Sequence, residues 1–145
     1  MLREVKVDDM EFLYQLANDF DVRKNSLNQT KIEFQKHKQW FFNKLIEIKE
    51  LKSKIFIYEL DKKKIGQIRL DKKGIFFIID ISIIKNYRGK GLSKIMLLDL
   101  LKKVKNISIL AYIKNSNIAS QCLFSSTGFK KVKACRDISF YKVRT

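Results

Sequence analysis

Between Ile75 and Lys94 the chain runs from its most β-branched segment, IFFIIDISII, through a loop holding Gly89 and Gly91, straight into a helical pattern. The first segment has strand length and is interrupted by Asp80 and Ser82, so it is far too short and too polar to cross a membrane. A largely apolar strand needs cover on both faces, and helices are the elements available to supply it. This junction therefore restricts the chain to folds in which helices lie against a sheet.

The rest of the sequence fits that restriction. A strand is expected at Leu2–Val7, and Asp8 is placed to cap a helix whose Leu13, Leu16, Ala17 and Phe20 recur at helical spacing. Polar residues Asp21–Lys31 read as a loop, and Glu33–Leu51 as a second helix with Phe34, His37, Phe41, Leu45 and Ile48 on one stripe. The period then changes to two. Strands are expected at 54–60, 64–71 and 75–84, a helix at 92–105, a strand at 107–113, a helix at 118–126 ended by Gly128, and strands at 129–134 and 138–143. The expected class is α/β (α+β by some schemes), with a mixed central sheet of about six or seven strands and helices on both faces. No proline, linker, repeat or low-complexity tract divides the 145 residues, so residues 1–145 are expected to form one domain.

Charge narrows the partners. Lys and Arg total 31 against 15 Asp and Glu, a formal charge of +16. That balance suits an anionic partner: nucleic acid, a membrane surface or a phosphate-bearing small molecule. A lysine-biased genome would produce it equally well. Cys122 and Cys135 are too few for a disulfide framework and read as free thiols; with no signal-like N-terminus, a cytoplasmic protein is expected.

The junction itself has chemistry. Glycines allow a tight turn and close approach of a ligand, and a helix start offers free N–H groups at the positive end of the dipole. Lys85, Arg88, Lys90 and Lys94 add charge, so a diphosphate fits. The Walker and Rossmann patterns fail on spacing.

The segment Arg88-Gly89-Lys90-Gly91-Leu92-Ser93 resembles the acetyl-CoA loop, R/Q-x-x-G-x-G/A, of the GNAT superfamily of N-acetyltransferases, with Ser93 replacing the final small residue. Asn117 through Phe124, followed by Gly128-Phe129, is similar to that family's second signature, and the element order matches along the whole chain. The resemblance implies acetyl-CoA as co-substrate and no metal. It implies that main-chain groups of residues Gly89, Lys90, Gly91, Leu92, Ser93 and Lys94 hold the pyrophosphate, with Arg88 opening the motif. Main-chain groups of Ile81, Ser82 and Ile83 would bind the pantetheine arm and polarise the thioester. Asn117 would contact the same arm, or simply cap its helix. The family's leaving-group acid is a tyrosine at the position held here by Phe124, which cannot donate a proton; Tyr112 and Ser125 are the nearest hydroxyls in sequence.

On the strand before the loop, Phe77, Ile79, Ile81 and Ile83 share one face, and Phe76, Ile78, Asp80 and Ser82 the other. Asp80 is the candidate base, acting through water or binding the cationic amine; pairing with Lys or Arg is the competing reading. His37 is an alternative base, or a packed core histidine.

The stretch from Arg23, Asn25 and Ser26 to His37-x-x-Trp40-Phe41 resembles a bacterial subgroup that acetylates nucleotide-linked deoxyamino sugars, as in pseudaminic-acid synthesis. That implies Arg23, Asn25, Trp40 and Arg69 as acceptor contacts, since an aromatic ring stacks on a sugar or base and arginine pairs with phosphate. Core packing explains Trp40 equally well; Gln67 and Arg69 alternate on the third strand and could reach the same cleft, and surface exposure explains them equally well. A peptide N-terminus or lysine is the rival acceptor. A basic nucleic-acid module is a rival of another class, disfavoured because no aromatic RNA motif or basic recognition helix is present. No membrane partner is expected, and a homodimer is the candidate assembly.

Overall fold

Strand alternation decides which side of the sheet each helix covers. A computed structural model describes residues 1–145. The elements are β1 (Leu2–Glu4), α1 (Met10–Ala17), α2 (Phe20–Asn25), α3 (Phe34–Lys49), β2 (Ser53–Leu60), β3 (Lys63–Lys73), β4 (Phe76–Ile83), α4 (Leu92–Lys103), β5 (Ser108–Lys114), α5 (Ile118–Ser125), β6 (Lys130–Cys135) and β7 (Ile138–Arg144). The strands form one sheet in the order β1-β2-β3-β4-β5-β7-β6, antiparallel except at β4–β5. No helix is long and apolar enough to cross a membrane.

On one face, Phe56, Ile68, Leu70, Ile79, Ile83, Ile109 and Ala111 bury against Met96, Leu97 and Leu100 of α4 and Phe124 of α5. On the other, Ile55 and Ile57 bury against Leu13 of α1 and Phe41 of α3. Helices thus cover both faces, as the junction demanded.

Two local expectations are corrected. The loop expected at 21–31 contains α2, which Asp19 caps by accepting from the N–H groups of Asp21 and Val22 (3.1 and 3.2 Å). Asp8 caps nothing. A 3-10 turn, Val7–Asp9, precedes α1, and the fully buried Asp9 turns inward to Arg3 and Lys64 (each 2.7 Å). Burial pushes the Asp9 carboxyl up, but hydrogen bonds from Arg3, Lys64 and the Lys6 N–H outweigh it and hold the group far below the usual carboxylate range.

The feature that positions a site is a tear in the sheet. The β4–β5 ladder ends at the pair Ile78↔Leu110, while β5 stays paired with β7 as far as Lys114. Beyond that point β4 and β5 separate. The short helix α2 lies across the mouth: Arg88, just past β4, holds Asp19 and Asp21 (2.7 and 2.8 Å), and Lys114, at the end of β5, donates to the Lys24 carbonyl (3.0 Å).

Candidate active site

The loop after β4 leaves a run of main-chain donors open. Gly89 and Gly91 have φ of 72° and 74°, the left-handed region that glycine enters without a Cβ penalty. The N–H groups of Gly89, Lys90, Gly91, Leu92 and Ser93 meet no acceptor in the protein, whereas that of Lys94 donates to the Gly91 carbonyl (3.1 Å). A Cβ at either glycine would meet nothing within 4 Å, so the outer side of the turn is open to a ligand. Consecutive amides at the start of α4 converge with the positive end of its dipole and with the exposed Lys85, Lys90 and Lys94.

Arg88 is corrected. Its side chain donates to the Ile83 carbonyl (2.9 Å) and to Asp19 and Asp21, and its N–H donates to the Lys85 carbonyl (3.1 Å), so it fixes the loop to α2 instead of facing a ligand.

The tear supplies further donors. Ile84 N–H bonds the Ile65 carbonyl across the ladder, so the alternating main-chain groups of Ile81 and Ile83 face away from β3, into the opening. Ser82 differs from the expectation: its main chain turns toward β3, and its hydroxyl accepts from Gln67 Nε2 (3.1 Å). Asn117 caps α5, its Oδ1 accepting from Ser120 N–H (3.1 Å), and lines a cavity of about 540 Å³ with Asp21, Lys24, Asn25 and Lys114. That is ample room for part of a small ligand. Phe124 is corrected to a core residue, 3% exposed and edge-on to Phe129 with ring centroids 4.9 Å apart.

Around Asp80 several singled-out residues come together. Gln67 Nε2 donates to its carboxylate (2.7 Å), and Arg69 lies 3.9 Å away while bonding Asp71 (2.7 Å). The Arg69 guanidinium sits 5.2 Å from the centre of the Trp40 ring. Asp80 is exposed, so the strand end opens on a cleft and not on a core.

Two further residues expected at the site are tied to main-chain groups. Arg23 lies within electrostatic reach of Asp80 and Arg69, but its guanidinium donates to the carbonyls of Ala17 (2.6 Å) and Asn28 (3.0 Å) and to the Ser26 hydroxyl (3.1 Å), so it organises the chain after α2. His37 is 3% exposed between α1 and α3, with Nε2 3.1 Å from the Met10 carbonyl, and burial pushes its pKa down. A histidine so enclosed is packing, not a base at the cleft. Gln67, buried and bridging Asp80 to Ser82, is the residue that sequence reasoning left undecided; its alternation with Arg69 was the only signal.

Residues 1–130 match the family model described as the acetyltransferase (GNAT) domain. No curated protein matches the chain by sequence. Among solved structures, a ribosomal-protein-alanine N-acetyltransferase from Brucella melitensis is similar at TM-score 0.80 and 18% identity, covering 100% of this chain and 99% of that one. A spermidine N-acetyltransferase from Vibrio cholerae, in complex with CoA and spermine, is similar at TM-score 0.80 and 16% identity over 98% and 92%. A ribosomal L7/L12 alpha-N-protein acetyltransferase in complex with coenzyme A gives TM-score 0.86 at 12% identity over 99% and 92%. At these identities the likeness is one of fold.

Proposed function

The chain belongs to the acetyltransferase (GNAT) domain family, and from that premise we propose how it moves an acetyl group from acetyl-CoA to a primary amine. The observation that carries the reading is the run of five open amides, Gly89 to Ser93, beside a torn β4–β5 ladder. A diphosphate on that run lets the pantetheine arm lie back along β4, where the Ile83 N–H and the main-chain groups of Ile81 are open while Arg88 holds the Ile83 carbonyl. The Ile81 N–H is then the donor aimed at the thioester oxygen, where charge develops as the amine attacks. Asp80, exposed and held by Gln67 and Arg69, takes the amine proton through water or holds the ammonium before attack.

For the acceptor we infer the amino group of a nucleotide-linked deoxyamino sugar. Support comes from Trp40, Arg69 and Asp80 lying together: a ring for a sugar or base face, a cation for phosphate, a carboxylate for the amine. The hold of main-chain carbonyls on Arg23 leaves Arg69 and the lysines near the cavity to meet the phosphates. A protein N-terminus is the second reading, favoured by two of the fold's likenesses, whose names specify protein substrates. A cytoplasmic setting accords with two exposed free thiols.

The test is thermal. CoA should raise the melting temperature of the protein, as any ligand preferring the folded state does. With acetyl-CoA present, UDP-amino sugars should be acetylated and N-terminal peptides not; the reverse preference would move the acceptor to the protein class. Absence of any CoA shift would remove the reading altogether.

A further inference from the structure

Acetyl transfer ends with a thiolate leaving, and the position at which a hydroxyl would be sought in the second signature holds a buried phenylalanine. We propose that Tyr112, on β5, is the general acid, an assignment that rests on the acetyl-transfer reading above.

The register places it. Ile78 and Leu110 form the last β4–β5 pair, and alternation puts Ile78 with Asp80, and Leu110 with Tyr112, on one face of the sheet. Extended by two residues, that register sets Asp80 and Tyr112 opposite each other on the two lips of the tear. The Ile81 N–H, aimed into the same opening, lies next to Asp80 in the chain. A base, a carbonyl-polarising amide and a phenol thus surround one gap.

The side chain is held but its hydroxyl is free. The ring is half-buried and packs edge-on against Phe140 of β7, with centroids 4.8 Å apart and planes at 66°. Its oxygen has no hydrogen-bond partner in the protein, whereas Tyr141, on the opposite face of β7, gives its hydroxyl to Gln121 (3.1 Å). The competing hydroxyl, Ser125, is exposed in the last turn of α5, about 10 Å along that helix from its Asn117 cap.

The step balances. The amine nitrogen forms a bond to the acetyl carbon, the C–S bond breaks, and sulfur takes the phenolic proton of Tyr112. The new amide nitrogen loses its extra proton through water to Asp80. That proton returns through water from Asp80 to the Tyr112 oxygen, restoring both groups and leaving amide and free CoA. The charged groups sharing this face include Asp80 on β4, Arg69 paired with it on β3, Lys114 on β5, and Lys142 and Arg144 on β7, paired with Leu110 and Ser108. Lys114 already donates to the Lys24 carbonyl (3.0 Å) and Lys142 lies over the Phe76 ring (5.1 Å), so both are engaged elsewhere while their charge favours a transient phenolate.

The experiment compares the full-length protein with Tyr112→Phe, which keeps the ring and its contact with Phe140. The expected result is a kcat about 100-fold lower, the size of a typical acid–base contribution, with KM for acetyl-CoA and the CoA melting shift within about twofold. A variant kcat within twofold of wild type overturns the assignment while leaving acetyl transfer intact. A wild type that binds CoA and acetylates no amine overturns both.

Discussion

At the level of single residues, the cofactor loop and the carboxylate make separable demands. Gly91 is required twice: its φ of 74° disfavours any side chain, and its N–H belongs to the open run. Gly91→Glu is expected to abolish the CoA melting shift, because a carboxylate would stand where a diphosphate belongs. Gly91→Ala should only weaken it, since a Cβ meets nothing there and the penalty is confined to about 1 kcal/mol of backbone strain. Asp80→Asn keeps the hydrogen-bonding shape beside Gln67 but removes the charge and the proton acceptor. Turnover should fall about 100-fold with the CoA shift retained; turnover near wild type would return Asp80 to the role of an ion-pair partner. These residues were legible in the sequence because glycine, lysine and a lone acid in a greasy strand are conspicuous by type. Gln67 was not, since a glutamine on an alternating strand looks the same whether it points at solvent or, as here, bridges a carboxylate and a hydroxyl.

Among the elements, periodicity carried most of the expectation and failed where an element is held by partners distant in sequence. The strands and long helices appear within a few residues of their expected bounds. Helix α2 does not announce itself: six residues with little apolar repeat owe their place to Arg88 and Lys114, 67 and 90 positions away in sequence from the groups they hold. The α1–α3 interface hides a titration in the same way. His37 looked like a candidate base because it is the only histidine, yet it fills the seam beside Tyr14 and Trp40. Burial lowers its pKa and the Met10 carbonyl only partly offsets this, so the unfolded chain takes up the proton more readily than the folded one. Stability should therefore be full above the ordinary histidine value, about 6.5, and fall as the pH drops below it. His37→Gln, which can still donate to the carbonyl but cannot titrate, should flatten the melting-temperature profile between about pH 7 and pH 5. The carboxylates held low by cations, Asp9, Asp19 and Asp71, lose their contribution only in more acid solution, so the two effects separate along the pH axis. An unchanged slope in the variant would show that His37 is not the group responsible.

For the whole molecule, the net charge of +16 is unevenly arranged, a property composition alone could not reveal. Every ion pair joins residues within the first 88 positions, ending with Arg88 itself. Beyond it the only acidic side chains are Asp99 and Asp137, and none of the many lysines and arginines there has an ionic partner. The open amides, the tear and the cavity beside Asn117 and Lys114 all border this unpaired half. Lysine-rich coding would raise the total but gives no reason for gathering 13 of the 15 acids and every ion pair into residues 1–88 and leaving 12 cations against 2 acids beyond them. Such a field draws a polyanionic co-substrate toward the loop, and its reach shrinks with salt, from about 20 Å at low ionic strength to under 8 Å above physiological strength. KM for acetyl-CoA should then rise severalfold between about 20 mM and 300 mM salt while kcat, set by short-range contacts inside the tear, changes little. A KM that stays flat over that range would leave the surplus lysines without a part in binding, and capture of CoA would rest on the five amides alone.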